Sequence, residues 1–266
     1  MRILYCGDVV GRAGRDALAR ELPGLIGDRE IDLVIVNGEN AAHGFGLTEK
    51  ICRGFYDLGA DVITTGNHAW DQREMLSYID GDPKVLRPLN YPPGTPGRGA
   101  GIFEARSGAS VLVAQVMGRL FMDPLDDPFQ AIDAALAGCV LGETVDAIVV
   151  DVHAEASSEK AAMGVHLDGR VSLVAGTHSH VPTADARLLP GGTAYQTDLG
   201  MCGDYDSVIG MKKEAATARF VTKLPTERLE PAEGEGTVCG VLLETGPDGL
   251  AASLDPVRLG PHIPNT

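Results

Sequence analysis

Eight residues able to hold a metal ion or move a proton fall in five short clusters of this chain: Asp8 in CGDVVG, Glu39 and Asn40 in VNGEN, Asn67 and His68 in TGNHAWD, His153 in DVHAE, and His178 and His180 in GTHSH. Together they are two carboxylates, two amides and four imidazoles, with no thiolate. Nitrogen and oxygen donors of this kind suit manganese, iron, cobalt, nickel or zinc better than a structural thiolate site does. Eight groups exceed what one ion uses. Two divalent ions about 3.5–4 Å apart can share a carboxylate and a hydroxide and then clamp a phosphoryl group. With Asp8, Glu39 and a bridging hydroxide, such a pair keeps a charge of about +1, which attracts a phosphodiester anion. His178 and His180 lie two apart, so in an extended segment both imidazoles share a face. Around the clusters, Asp71 is either the orienting partner of an imidazole or a solvated acid at a helix start. Thr177 and Ser179 are candidates to touch phosphate oxygens, and Arg119, the loop to Asp127, Asn90 and Tyr91 are candidates to border the pocket. The glycines of GDVVGRAG match neither GxGxxG nor GxxxxGK[ST], so a nucleotide-phosphate loop is the weaker reading there.

These clusters need elements to bring them together. Apolar, β-branched runs at residues 2–6, 33–36, 62–64, 111–116, 147–150, 171–175 and 194–196 read as strands. Several are continuous rather than alternating, as in strands buried on both faces. Each cluster follows such a run, and open α/β sheets build their ligand sites at the carboxyl ends of strands. Amphipathic stretches between them read as helices: residues 12–26, with Pro23 ending or kinking the helix, residues 128 to about 141 behind an Asp127 N-cap, and a helix capped by Ser157 or Ser158 running to about Val165. Residues 88–101, dense in proline and glycine, read as a long surface loop. Residues 236–259 read as a hairpin about the Gly-Pro-Asp-Gly turn at 246–249. Alternating strands and helices predict a layered α/β sandwich, and with no linker or repeat the expectation is a single domain over residues 1–266.

Composition narrows the function. The formal charge of the 266 residues is -15, which argues against a basic surface for long nucleic acid or acidic lipid at the level of the whole protein. Hydrophobic residues at 44% support a large core and exclude intrinsic disorder. Five scattered cysteines without a CxxC pair are no disulfide framework, and Cys6 reads as a core residue. The amino terminus lacks a signal-peptide core and no run is long enough to span a bilayer, so the expected location is the cytoplasm and no membrane partner is expected. His43 and His166 read as surface residues and His262 as part of a frayed tail.

In order, the motifs at Gly7–Asp8, Gly38–Asn40, Gly66–His68, His153 and His178–His180 resemble those of the calcineurin-like metallophosphoesterases, over residues 7–180. The forms GDVVG, NGEN, GNHAWD and GTHSH are most similar to the YmdB-like branch. Val10 stands where the wider superfamily carries the histidine of Asp-x-His, and Glu39 where it carries a bridging aspartate. Both departures speak against substrates of the phosphoprotein phosphatases and nucleases. The resemblance implies an αββα sandwich with the C-terminal β-hairpin appended. It implies one ion on Asp8, Asn40 and His180, a second on Asn67, His153 and His178, and Glu39 bridging them. His68 would be the catalytic acid that protonates the leaving oxygen. The ions would be iron or manganese, with zinc also accommodated. The implied activity is that of a phosphodiesterase for small phosphodiesters, above all 2′,3′-cyclic nucleoside monophosphates, through in-line attack of a metal-bridging hydroxide. The family tendency is a homo-oligomer, dimer or tetramer. Two other readings share the cluster: a regulatory metalloprotein that binds a phosphate ligand with little turnover, and a metal-dependent amidase or esterase.

Overall fold

The computed structural model of the chain describes residues 1–224 and 227–266. In order, the elements are β1 (Arg2–Cys6), β2 (Asp8–Val9), α1 (Gly11–Asp28), β3 (Leu33–Asn37), α2 (Glu49–Asp57), β4 (Val62–Thr64), α3 (Met75–Tyr78), β5 (Val85–Leu86), β6 (Ala100–Glu104) and β7 (Ser110–Met117). There follow α4 (Pro128–Leu136), β8 (Ala147–His153), α5 (Ser157–Leu167), β9 (Leu173–Thr177), β10 (Arg187–Leu188), β11 (Ala194–Gln196), β12 (Met201–Cys202), α6 (Lys213–Thr222), β13 (Val238–Thr245) and β14 (Ala251–Leu259).

Two six-stranded sheets have the orders β14-β13-β1-β3-β4-β5 and β10-β11-β9-β8-β7-β6, and β2 pairs with β12. Strands β1, β3, β4 and β5 run parallel, as do β7, β8, β9 and β11. Side chains alternate between the faces of each strand, so one apolar run feeds two cores. Ile3, Tyr5, Leu33, Ile35 and Val62 of the first sheet meet Val111, Val113, Ala147, Val149 and Leu173 of the second. On the far side of the first sheet, Leu4, Cys6, Val34, Val36 and Ile63 pack against Ala17, Leu18 and Leu22 of α1 and Phe55 of α2. On the far side of the second, Leu112, Ala114, Ile148 and Val150 pack against Ile132 and Leu136 of α4 and Met163 and Leu167 of α5. Each fully buried Leu, Ile or Val contributes roughly 1.5–3 kcal/mol, so the sandwich is held by its continuous apolar strands. The layers are αββα, as expected, and the C-terminal hairpin of β13 and β14 adds to the first sheet through the antiparallel β1–β13 pair. Among the described residues no helix is long and apolar enough to cross a membrane.

Several local expectations are corrected. Pro23 does not end α1, which continues to Asp28. Pro23 and Ala19, whose carbonyl loses its helical donor, are both exposed, so water can satisfy that carbonyl. Helix α4 has the predicted Asp127 cap, which accepts from the Phe129 and Gln130 amides, but stops at Leu136 because Ala137 turns extended and Gly138 takes φ +86°. Helix α5 has no serine cap: Ala156 is the N-cap residue, and the helix runs on to the buried Leu167 rather than Val165. Pro88 and Asn90 of the proline-rich stretch are buried, and the last residues of that stretch, from Ala100, belong to β6. His153 is the final residue of β8 rather than part of a following loop.

Candidate metal centre

Parallel pairing puts the clusters on one rim. Asn37 of β3 pairs with Thr64 of β4, and Met117, His153 and Thr177 are aligned across β7, β8 and β9. Residues 38–40, 65–68 and 178–180 leave these strands at the same end, where Asp8 arrives from β1. The sheet packing thus brings all eight predicted residues to one place. Two three-residue groups have donor atoms within 4.8 Å of one another, Glu39 with His153 and His178, and Asp8 with Glu39 and His180. Glu39 belongs to both. The two amides join them: Asn40 Nδ2 lies 3.1 Å from Glu39 Oε1 and 3.1 Å from His180 Nε2, and Asn67 Oδ1 lies 2.8 Å from His153 Nε2.

The orientation of each ring follows from its far nitrogen. His180 Nδ1 meets the Ile209 carbonyl at 2.8 Å. A carbonyl only accepts, so Nδ1 carries the proton and Nε2 turns its lone pair toward Asp8 Oδ1, 3.9 Å away. His153 Nδ1 lies 2.9 Å from Thr177 Oγ1, whose hydroxyl donates to Asp151 Oδ1 at 2.8 Å. That chain makes Nδ1 a donor and aims Nε2 at Glu39 Oε1, 3.2 Å away. Such outer partners are how metal-binding imidazoles are held. Gly66 is required by closeness, since a Cβ there would overlap Glu39 Oε2 and His153 Nε2. His178 and His180 have φ of +94° and +64°, a conformation that costs free energy in non-glycine residues and is retained where the surroundings enforce it.

The electrostatics call for a cation. Burial pushes the Asp8 carboxyl up, to about 7, against the pull of His180 and His153. Burial also opposes the charge on Glu39, yet His153 beside it holds the carboxyl down at about 2. Burial lowers His153, but Glu39 outweighs it and raises the imidazole to about 9. Burial, then His153, drives His178 down to about 3. Asp8 Oδ1 is buried with no hydrogen-bond partner, an orphan acceptor that a cation would satisfy. The residues therefore fit divalent ions held by nitrogen and oxygen donors.

His68 stands beside this group. Its backbone N–H donates to Glu39 Oε2 at 3.2 Å, while its Nδ1 meets Asp71 Oδ2 at 2.9 Å and its ring packs edge-on against Phe45. Asp71 is thus an imidazole partner and lies outside any helix. Thr177 is fully buried, with its hydroxyl committed to His153 and Asp151, so it does not face a substrate. Asn90 spends its amide N–H groups on the Met117 and Asp126 carbonyls, which ties the loop after β7 in place. Tyr91 is half-buried against Trp70, and Arg119 pairs with Asp127. Four contributors were not singled out in the sequence. Asn37 accepts from the Glu39 N–H, Gln115 and Asp151 are hydrogen-bonded beneath His153, and Glu155 Oε2 sits 3.2 Å from His178 Nε2. Asp151 had a signal: a carboxylate two residues before His153, on the same face of an otherwise apolar strand. His43, His166 and His262 are exposed, and Cys6 is buried.

A sandwich of two sheets between helical layers is the architecture of metallophosphoesterase-type proteins. The chain belongs to the family of YmdB-like proteins, whose model matches residues 4–257. It is 49% identical over 244 residues to a 2′,3′-cyclic-nucleotide 2′-phosphodiesterase of Bacillus subtilis (strain 168), covering 92% of this chain and 91% of that protein. The crystal structure of a hypothetical protein from Thermus thermophilus superposes with a TM-score of 0.90 at 48% identity, covering 97% of this chain and 98% of the other. That of a Mycoplasma pneumoniae phosphatase gives 0.90 at 33% identity, covering 97% and 93%.

Proposed function

We propose that this chain is a metal-dependent phosphoric diester hydrolase acting on small phosphodiesters, with 2′,3′-cyclic nucleoside monophosphates as its substrates. The observation that carries the reading is Glu39, fully buried and shared by both donor groups, beside an Asp8 oxygen that has no hydrogen-bond partner. Asp8, Asn40 and His180 would hold one ion, Asn67, His153 and His178 the other, and Glu39 both. Iron or manganese suits these donors, with zinc a further possibility. Bound there, the ions would supply an activated water at neutral pH and neutralise the phosphoryl oxygens.

The remaining work falls to the protein. Asp8, Glu39, Asn40, His153 and His180 are buried, and the donor set holds its geometry through Thr177, Ile209 and Asn37. His68, with Nδ1 engaged by Asp71, is free to offer a proton from Nε2 to the departing ribose oxygen. This acid also separates catalysis from mere phosphate binding, because a binder has no use for it. The acidic chain disfavours long nucleic acid as substrate. The deciding experiment takes protein reconstituted with Mn²⁺ or Fe²⁺ and compares a 2′,3′-cyclic nucleotide, a chromogenic phosphodiester, a phosphomonoester and an amide, with metal content read by X-ray fluorescence. Hydrolysis of the diesters at two ions per chain is expected. Preference for the amide, or full metal loading without diester turnover, would overturn the proposal.

A further inference from the structure

Away from the donor atoms lies a buried ion pair that the reaction does not use. Lys160 of α5 and Asp198, in the turn between β11 and β12, are 1% and 0% exposed, with Nζ 2.7 Å from Oδ2. Replacing such a pair by apolar residues is often neutral or stabilising, so stability alone does not account for it. Its contacts do. Asp198 Oδ2 also accepts the Ser179 N–H at 3.0 Å, and Oδ1 accepts the Gly200 N–H at 2.8 Å. Ser179 is the residue between His178 and His180, the two histidines with positive φ. Gly200 in turn receives the Asp8 N–H on its carbonyl at 3.2 Å, and the His178 N–H donates to Asp8 Oδ2 at 3.1 Å. One carboxylate therefore ties down both the strained histidine turn and the strand end that carries Asp8.

We propose that the Lys160–Asp198 pair is a positioning device for the metal centre: Asp198 holds the Ser179 and Gly200 amides, and Lys160 holds that carboxylate in place inside the protein. The inference rests on the metal-centre reading above. Lys160 and Asp198 touch no metal donor atom. Their contacts pass through backbone N–H groups to Asp8 and to the turn that carries both His178 and His180, so the effect reaches both ions, although Asn67, Glu39 and His153 are carried on other segments.

Two double variants of the full chain test it, each stripped of metal and titrated with Mn²⁺ by calorimetry. Lys160→Met with Asp198→Leu removes charge and acceptor together and leaves the Ser179 and Gly200 N–H groups without that partner. Its Mn²⁺ affinity is expected to fall by about ten- to a hundredfold, the range seen when partners behind metal ligands are lost. Lys160→Met with Asp198→Asn restores a neutral acceptor for the turn and is expected to recover a large part of that loss. Affinities equal to the parent's in both variants would overturn the proposal, as would an equal loss in both. Failure of both to fold without metal would assign the pair to the fold and also overturn it. A parent chain that takes up no Mn²⁺ is a different result, which removes the metal centre itself and this inference with it.

Discussion

The floor and the rim of the site are built differently. On the floor, Asp8, Glu39 and His153 are fully buried and His180 nearly so, and three of the four ride on or directly after parallel strands of the two sheets. On the rim, the side chains of His68 and Asp71 are 27% and 43% exposed and belong to a turn. The floor holds charges that water does not screen, so each depends on its neighbours, and one acceptor, Asp8 Oδ1, is left without a hydrogen-bond partner. The rim leaves the His68 imidazole partly exposed, as the proposed proton donor would require. In the proposed roles a metal grip favours burial and a proton transfer favours access, and Asn67, His68 and His178 stand between the two, all half-buried.

Breaking the floor has the largest expected effect. Glu39→Ala removes the carboxylate common to both donor groups, so both ions should be lost and diester hydrolysis should fall to background; metal content per chain and turnover on a chromogenic diester check this together. Loss of activity with both ions still bound would erase the distinction between floor and rim. Breaking the rim should separate the two properties. His68→Ala is expected to keep two ions per chain while turnover drops about 10²–10⁴-fold, the usual contribution of a positioned acid. Metal loss equal to that of Glu39→Ala would place His68 on the floor.

The smallest effect is a pH dependence of the metal-free protein. The folded chain raises His153 from 6.5 to about 9, so the stability from its contact with Glu39 is complete below pH 6.5 and disappears as pH rises toward 9. Asp8, raised from 3.8 to about 7, acts in the same direction, and its contribution is gone by about that pH. Glu39 and His178 are lowered, so their contributions are already complete above 4.5 and 6.5 and do not change in this window. The Tm of the metal-free chain should therefore fall between pH 6.5 and 9, by about 5 °C for a chain of this length. The rise in Tm on adding Mn²⁺ should grow over the same window, because the ion no longer competes with the His153 proton. A flat metal-free profile would sharpen the comparison the other way, by showing that the floor is solvated.

Much of this was legible in the chain because a strand buried on both faces leaves a continuous apolar run. Residues 2–6, 62–64 and 194–196 were bounded correctly for that reason. Helix α2 was missed, although Thr48 caps it by accepting from the Ile51 N–H. Of the two outcomes open for Pro23, ending or kinking, the helix does not end there, and the exposed Ala19 carbonyl that loses its donor is open to water. Lys160 and Asp198 lie 38 residues apart, and neither neighbourhood carries a motif that links them.

The amino-acid sequence by itself determined which donors exist, nitrogen and oxygen without sulfur, and that each sits where an apolar strand stops. Tertiary structure alone decided that Glu39 falls between two groups of partners, which nitrogen of His153 and His180 faces inward, and that Asp151, Thr177 and Asp198 stand behind them. The reason is physical. Donor type and strand pattern are local properties of the chain, whereas a contact of about 3 Å between residues far apart in sequence exists only once sheet register and sheet packing have fixed both backbones.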